Sequence, residues 1–279
     1  MATKVFFTKM HGVGNDFIVV DEFDQVLVSD RDKPAFVSKY AKRHFGVGAD
    51  GVIFVQKSDK ADAKFTFYNP DGSKAEMCGN GIRCFAKYVY ERDLVKKEKM
   101  SVETLAGVKT LDLFLEDGLV STVKVDMGVP GVEFIGERID INGFSGKVTS
   151  ISTGNPHAIV FVEDVDKVDV PGIGRKIRNY AKLFPKGTNV HFVQKTKDNE
   201  FRIRTYERGV EEETPACGTG ICASAVAASL SNLADANKPL IFHAAGGDLT
   251  IELKPDFANT KRAFMTGPAE EVFRGEIEA

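Results

Sequence analysis

Cys78 opens the run Cys-Gly-Asn-Gly and Cys217 opens Cys-Gly-Thr-Gly, and each run leads into a stretch that reads as a helix. Unpaired N–H groups and the positive end of the helix dipole favour thiolate over thiol at such a position. The glycines let a ligand approach the backbone, where the same N–H groups suit a carboxylate. Two such starts facing each other across an inter-domain cleft would hold one carboxylate and put a sulfur on each face of the neighbouring carbon. One sulfur, as thiolate, takes a proton from that carbon, and the other, as thiol, returns one to the opposite face. That is the chemistry of a two-base racemase or epimerase, and no cofactor is needed if backbone amides hold the developing charge away from water.

Cys84 and Cys222 lie inside the same two stretches, about 120–140° round the helix from Cys78 and Cys217 at roughly 100° per residue, and read as inert core thiols. Four cysteines in a chain of this length, with no secretion signal at the N-terminus, argue against a disulfide framework. The cysteine spacings are wider than paired zinc ligands prefer, and the five histidines (His11, His44, His157, His191, His243) are scattered, so no metal site is expected.

The segments that must position the two thiols come in matching pairs. Cys217 follows Cys78 by 139 positions, Asn155 follows Asn15 by 140 and Tyr206 follows Tyr68 by 138, each near half of the 279 residues. Three matches in one order at one offset mark a duplicated unit. Each half reads mostly as Val-, Ile-, Phe- and Thr-rich strands: 4–10, 16–21, 51–56, 64–69, 108–116 and 119–127, then 157–164, 190–196, 200–207 and 248–254. Helices are expected at 82–93 and 221–232 after the cysteines, the second apolar enough to be buried on all sides, and also around 33–44 and 173–183.

The expected fold is α+β, with two pseudo-symmetric domains at residues 1–120 and 121–265 and their boundary near Gly118–Lys124. Lys plus Arg number 37 against 40 Asp plus Glu, a net charge of −3 with no basic run, which excludes a nucleic-acid groove. The longest apolar run, Ile221–Leu230, is too short to span a bilayer. The composition is that of a cytoplasmic globular protein.

Six motifs, KMHGVGNDFIVVD, RHFGVGADGVIFV, FYNPDGSKAEMCGNGIRC, STGNPHAIVF, GTNVHFV and RTYERG…ACGTG, resemble the diaminopimelate epimerase family in their order and over nearly the whole chain. The resemblance implies interconversion of LL- and meso-diaminopimelate without pyridoxal phosphate, in the supply of lysine and, in many bacteria, peptidoglycan. It also implies a homodimer, a barrel-like mixed sheet round a central helix in each domain, and a final segment (264–277, with 266–279 assigned to the first domain) that crosses back. Cys217 would draw the proton from the LL isomer and Cys78 deliver one. Gly79, Asn80, Gly218 and Thr219 would cradle the reacting carboxylate. Asn15, Asn69, Asn155, Asn189, Glu207 and Arg208 would line the substrate, with Arg208 on the distal carboxylate, and His157 and Glu207 would tune the thiols. Without the resemblance, Asn15, Asn69 and Asn155 read as turn formers, Asn189 as a cap, Arg208 as a solvated loop charge and His157 as structural.

Two departures from the family pattern bear on selectivity. Gly51 stands where a Gln is frequent, and the segment Arg208–Cys217 is one residue longer than the common pattern, bringing Glu212 and Glu213 towards the thiol. An unpaired carboxylate there would raise the thiol's pKa. Two other readings stay open: an isomerase of the same fold acting on proline, hydroxyproline or glutamate, and a non-enzymatic sensor in which Cys78 and Cys217 form a reversible disulfide.

Overall fold

The computed structural model describes residues 4–141, 143–255 and 261–278. The chain forms two compact units, Met1–Val125 with Gly267–Ala279, and Asp126–Thr266. Among the described residues no helix is long and apolar enough to cross a membrane.

The first unit contains β1 (Lys4–Gly12), β2 (Asn15–Glu22), α1 (Lys33–Tyr40), β3 (Gly51–Gln56), β4 (Ala63–Tyr68), β5 (Lys74–Ala75), α2 (Gly79–Glu91), β6 (Lys99–Thr104), β7 (Gly107–Glu116) and most of β8 (Leu119–Gly128). The second contains β9 (Gly131–Ile141), β10 (Phe144–Ser152), β11 (Pro156–Phe161), α3 (Val170–Arg178), β12 (Asn189–Lys197), β13 (Glu200–Tyr206), β14 (Glu213–Thr214), α4 (Gly218–Leu230), β15 (Leu240–Ala244), β16 (Gly247–Pro255) and most of β17 (Lys261–Pro268). The last strand, β18 (Glu270–Glu278), returns to the first unit and lies antiparallel to β1.

The two units share one topology. In the first, β2 pairs β3 in parallel, β3 pairs β4 antiparallel, β4 pairs β6 in parallel and β6 pairs β7 antiparallel. In the second, β11–β12, β12–β13, β13–β15 and β15–β16 repeat that order of directions. The register repeats too: Phe17 stands opposite Gly51, and His157 opposite Asn189. Even the outer strands correspond, since β18 flanks β1 as β9 flanks β10.

Each sheet curves round one helix. Helix α2 touches β1, β2, β3 and β7, and α4 touches their counterparts β10, β11, β12 and β16. Both helices are buried along almost their whole length. The all-round apolar pattern of ICASAVAASL is the sequence of a helix with no solvent face. Both begin three residues earlier than their hydrophobic patterns suggest, at the glycine after each cysteine. Each cysteine therefore has extended dihedrals and stands at the N-cap. Beyond their C-terminal ends, Asp93 (φ 57°) and Asn232 (φ 56°) take the left-handed conformation, which these short polar residues tolerate.

Helix α1 is shorter than the expected 33–44 because the chain turns through His44 at φ 72°. Helix α3 starts earlier than 173. Asp169 caps it by accepting from the Gly172 N–H at 3.0 Å, and a proline sits in its first turn. It ends at Arg178, where the Asn179 side chain donates to the Arg175 carbonyl at 2.8 Å.

Candidate active site

In the first unit, Cys78 is half-buried at the N-cap of α2 and its sulfur accepts from the Gly81 N–H at 3.5 Å. That is the field in which a helix start stabilises a sulfur anion. As a thiol, Cys78 donates to Asn15 Oδ1 at 3.6 Å, and the same oxygen accepts from Asn80 Nδ2 at 3.2 Å. Both amides are held from behind. Asn15 Nδ2 donates to Asp50 Oδ2 at 2.7 Å, and buried Arg83 donates from Nη1 to Asn80 Oδ1 at 3.0 Å and to the Gly79 carbonyl at 3.2 Å.

Asp50 in turn pairs with Arg43, which also grips Asp16. Burial pushes the Asp16 carboxyl up, but hydrogen bonds from Arg43 and Lys9 outweigh it and leave the pKa lowered. Asn15, Cys78, Asn80 and the glycines beside them thus form one cluster. Asn69 heads the Asn-Pro-Asp-Gly turn, which its carbonyl closes by accepting from the Gly72 N–H at 2.9 Å, and its side-chain amide donates to Ser73 Oγ at 3.0 Å.

In the second unit, Cys217 is buried at the N-cap of α4, with Thr219 Oγ1 3.5 Å from its sulfur. Behind it lies a histidine pair that sequence spacing does not reveal. His157 Nδ1 and His191 Nε2 are 2.8 Å apart, His157 Nε2 is 3.0 Å from Asn155 Oδ1, and His191 Nδ1 is 2.9 Å from Thr205 Oγ1. With the Asn155 oxygen turned to His157, both rings are neutral and the row reads one way. Thr205 donates to His191, His191 to His157, and His157 to Asn155.

Burial holds both imidazoles neutral. It pushes His157 well below the usual histidine range, helped by the nearness of a second imidazole that would repel a proton, His191, and by the charge of Arg208, and pushes His191 down to about 3. The expectation that the histidines are scattered is therefore corrected for His157 and His191. His157, His191 and Cys217 bring their donor atoms within 4.8 Å of one another, a group that could hold a metal ion. Strands β11 and β12 are parallel neighbours, so residues 34 positions apart come side by side. The available signal is the repeat itself, in which His157 and His191 stand where Phe17 and Ile53 stand in the first half.

The glycines confirm that correspondence. A Cβ on Gly81 would lie 3.4 Å from Ile53 and from Phe17, whereas a Cβ on Gly220 would lie 2.0 Å from the His191 ring. The second unit's helix start is packed directly against imidazole.

The remaining residues lie around this start. Asn189 bridges the Pro156 carbonyl (3.1 Å) and the Arg208 N–H (2.9 Å), fixing the loop that carries Arg208. The Arg208 guanidinium donates to the Lys186 carbonyl at 3.2 Å. Glu207 Oε2 accepts from Thr214 Oγ1 at 3.0 Å.

In the longer segment two of the three glutamates are held by arginines. Glu211, at φ 63°, absorbs the extra residue and pairs with Arg178, and Glu213 pairs with Arg204 through both oxygens at 2.7 Å. Gly51 is likewise explained by packing, since a Cβ there would lie 2.3 Å from the Phe67 ring. Cys84 is fully buried, with its thiol pushed up to about 12 by burial.

The sequence profile of one family, described as diaminopimelate epimerase, matches residues 7–132 and 149–272. The chain belongs to the diaminopimelate epimerase family. It is 48% identical to the diaminopimelate epimerase of Agathobacter rectalis, covering 98% of this chain and 99% of that one. It is 46% identical to the diaminopimelate epimerase of Archaeoglobus fulgidus, covering 98% and 96%. Among solved structures it is similar to a phenazine biosynthesis protein of the PhzF family from Bacillus anthracis (TM-score 0.79, 18% identity, 99% of each chain). It is also similar to a hydroxyproline epimerase from Agrobacterium vitis (TM-score 0.76, 16% identity, 100% and 94%). These two show the fold, α+β with two units of one topology. The diaminopimelate epimerase fold thus hosts both a cysteine–asparagine start and a cysteine–histidine start within this one chain.

Proposed function

We propose that this protein interconverts LL-2,6-diaminopimelate and meso-2,6-diaminopimelate without a cofactor, Cys217 and Cys78 acting on opposite faces of one α-carbon. In the LL-to-meso direction the Cys217 thiolate takes the α-proton and becomes a thiol. The Cys78 thiol gives its proton to the other face and becomes a thiolate, and the roles reverse for the return. The observation that carries this reading is the duplicated helix start, a cysteine at the N-cap of a buried helix in each half of a chain so similar to diaminopimelate epimerases.

The α-proton of an amino acid is a weak acid, so most of the barrier lies in the charge left on the carbon and its carboxylate. The amides of Gly79, Asn80 and Gly81, and of Gly218, Thr219 and Gly220, are fixed donors for that charge. Asn15 accepts from the Cys78 thiol and orients it before it donates. Arg208 binds the distal carboxylate through its planar fork, Glu207 and the asparagines hold the amino groups, and His157 tunes Cys217. The enzyme works in the cytoplasm as a homodimer, supplying lysine and cell-wall precursor.

Reduced protein incubated with LL-diaminopimelate in heavy water tests this by NMR. The expected result is meso product carrying solvent deuterium at one α-carbon, with turnover lost in both Cys78→Ala and Cys217→Ala. Exchange with proline or glutamate instead would move the substrate and keep the mechanism. No exchange with any amino acid would leave the dithiol sensor.

A further inference from the structure

We propose that Cys217, His157 and His191 form a binding site for a soft divalent cation, zinc foremost, whose occupancy takes Cys217 out of catalysis. The inhibition rests on the acid–base role given to Cys217 above; the binding site does not.

The three donor atoms lie within 4.8 Å of one another, and thiolate plus two imidazoles is a donor set that zinc favours. A histidine that binds metal through one nitrogen almost always donates its other N–H to a neighbouring acceptor. Here both outer nitrogens already have one: His157 Nε2 faces Asn155 Oδ1 at 3.0 Å and His191 Nδ1 faces Thr205 Oγ1 at 2.9 Å. The inner nitrogens, which face each other, are then the pair left to share an ion with the Cys217 sulfur. They are 2.8 Å apart across a shared proton, and two imidazoles on a tetrahedral zinc stand about 3.3 Å apart, given Zn–N bonds of roughly 2.0–2.1 Å. An opening of about half an ångström, with both rings pivoting so that their lone pairs turn from each other towards the sulfur side, admits the ion. Three protein ligands leave one position for water.

The protons balance without an outside reactant. The thiol proton of Cys217 leaves to buffer as the Zn–S bond forms. The proton between the rings moves from His191 Nε2 to Nδ1, where the Thr205 hydroxyl turns round to accept it. Both imidazoles stay neutral, and zinc takes the two lone pairs so freed.

Only one of the two cysteines has this setting. Cys78 is backed by Phe17 and Ile53 at the positions of His157 and His191. The site therefore distinguishes two thiols that the repeat otherwise makes equivalent. If the histidine pair serves packing alone, nothing requires the sulfur of Cys217 to complete a donor set with it.

Cobalt(II) is the probe, titrated anaerobically into reduced, metal-free, full-length protein. The expected result is one cobalt per chain, with a thiolate charge-transfer band in the near ultraviolet and the strong visible bands of a four-coordinate ion, both abolished by equimolar zinc. Cys78→Ala should keep these bands and Cys217→Ala should lose the charge-transfer band. His191→Ile, which restores the residue of the first half, should weaken cobalt binding at least tenfold, with His157→Gln as the second ligand deletion if that variant does not fold. Turnover of diaminopimelate should fall in proportion to zinc occupancy and return on adding EDTA.

Absence of the bands, their loss in Cys78→Ala, or unchanged binding in both histidine variants would overturn the site. An enzyme that turns over diaminopimelate yet gives no cobalt bands refutes only the metal site. Bands without turnover of any amino acid refute only the proposed function.

Discussion

Asp50 stands just before β3, away from helix α2 in sequence, yet it sets what Cys78 meets. Its carboxylate holds Asn15 Nδ2 at 2.7 Å, so the Asn15 oxygen is turned to the thiol and to Asn80. Hydrogen bonds to a charged group are worth about 1.5–3 kcal/mol, so Asp50→Ala should lower kcat/KM roughly tenfold to a hundredfold, while Asp50→Asn, which keeps an acceptor, recovers part of it. Steady-state rates of the two variants decide this, and equal rates in Asp50→Ala and wild type would remove Asp50 from the mechanism. The histidine pair makes a separate demand on pH. Both rings are buried neutral with folded-state pKa values below their unfolded value near 6.5, His191 at about 3. The unfolded chain therefore binds protons that the folded chain refuses, and stability drops as pH falls below about 6.5. At roughly 1.4 kcal/mol per pH unit, His191 alone costs about 2 kcal/mol by pH 5, and His157 adds to that loss in the same direction. Urea midpoints at pH 7 and pH 5, with chelator present, should show the loss, and His191→Ile should show less of it. A midpoint that does not move would mean the rings are charged in the fold.

Helices α2 and α4 start alike and are packed differently, which a glycine-to-alanine pair can measure. Gly81→Ala meets only ordinary contacts at 3.4 Å and gains helix propensity, so it should change stability by less than about 1 kcal/mol. Gly220→Ala would put a methyl group 2.0 Å from the His191 ring and should cost at least about 3 kcal/mol. Adding His191→Ile recreates the first-unit arrangement and should recover more than about 1 kcal/mol of that loss. Additive losses in the double variant would show that the ring is not what Gly220 accommodates. These two helices and the strands lining them were legible from sequence because burial makes their composition extreme: ICASAVAASL has no polar face, and GVIFVQ is apolar almost throughout. The strands β6, β9, β10, β15, β17 and β18 were not, nor were the two-residue β5 and β14. Strand β18 (EEVFRGEIE) is mostly exposed, and β9 buries one residue of its span and changes phase across Ile135–Gly136, so neither carries the sustained apolar alternation by which a strand is recognised. The cysteines were legible through their glycines and their repeat. The His157–His191 pairing was not, because parallel pairing of β11 with β12 is a long-range fact that local pattern does not encode.

The duplication leaves the two units with unequal claims on the chain. The second unit finds the strand that flanks β10 inside its own span, as β9, whereas the first receives β18 from the far C-terminus. Eight residues of β1, from Lys4 to His11, pair with Glu270–Glu278, and Arg92 and Phe7 reach the same strand through Glu271 at 2.8 Å and the Phe273 ring at 5.9 Å. The sheet of the first unit therefore stays open until β18 is made, after the strands of the second unit, although its other strands are the first to emerge. A chain ending at Pro268 isolates the effect, because it keeps the Pro268 carbonyl that Arg83 holds at 3.1 Å and removes only the strand. The exposed edge of β1 should then pair with other copies, and the first unit should unfold at lower urea concentration than the second. Limited proteolysis with mass spectrometry reads this directly. Cuts should concentrate before Val125, while fragments spanning Asp126–Thr266 persist longer. Equal digestion of both halves would mean that the two units unfold as one and that β18 stabilises the whole chain, not the first unit alone.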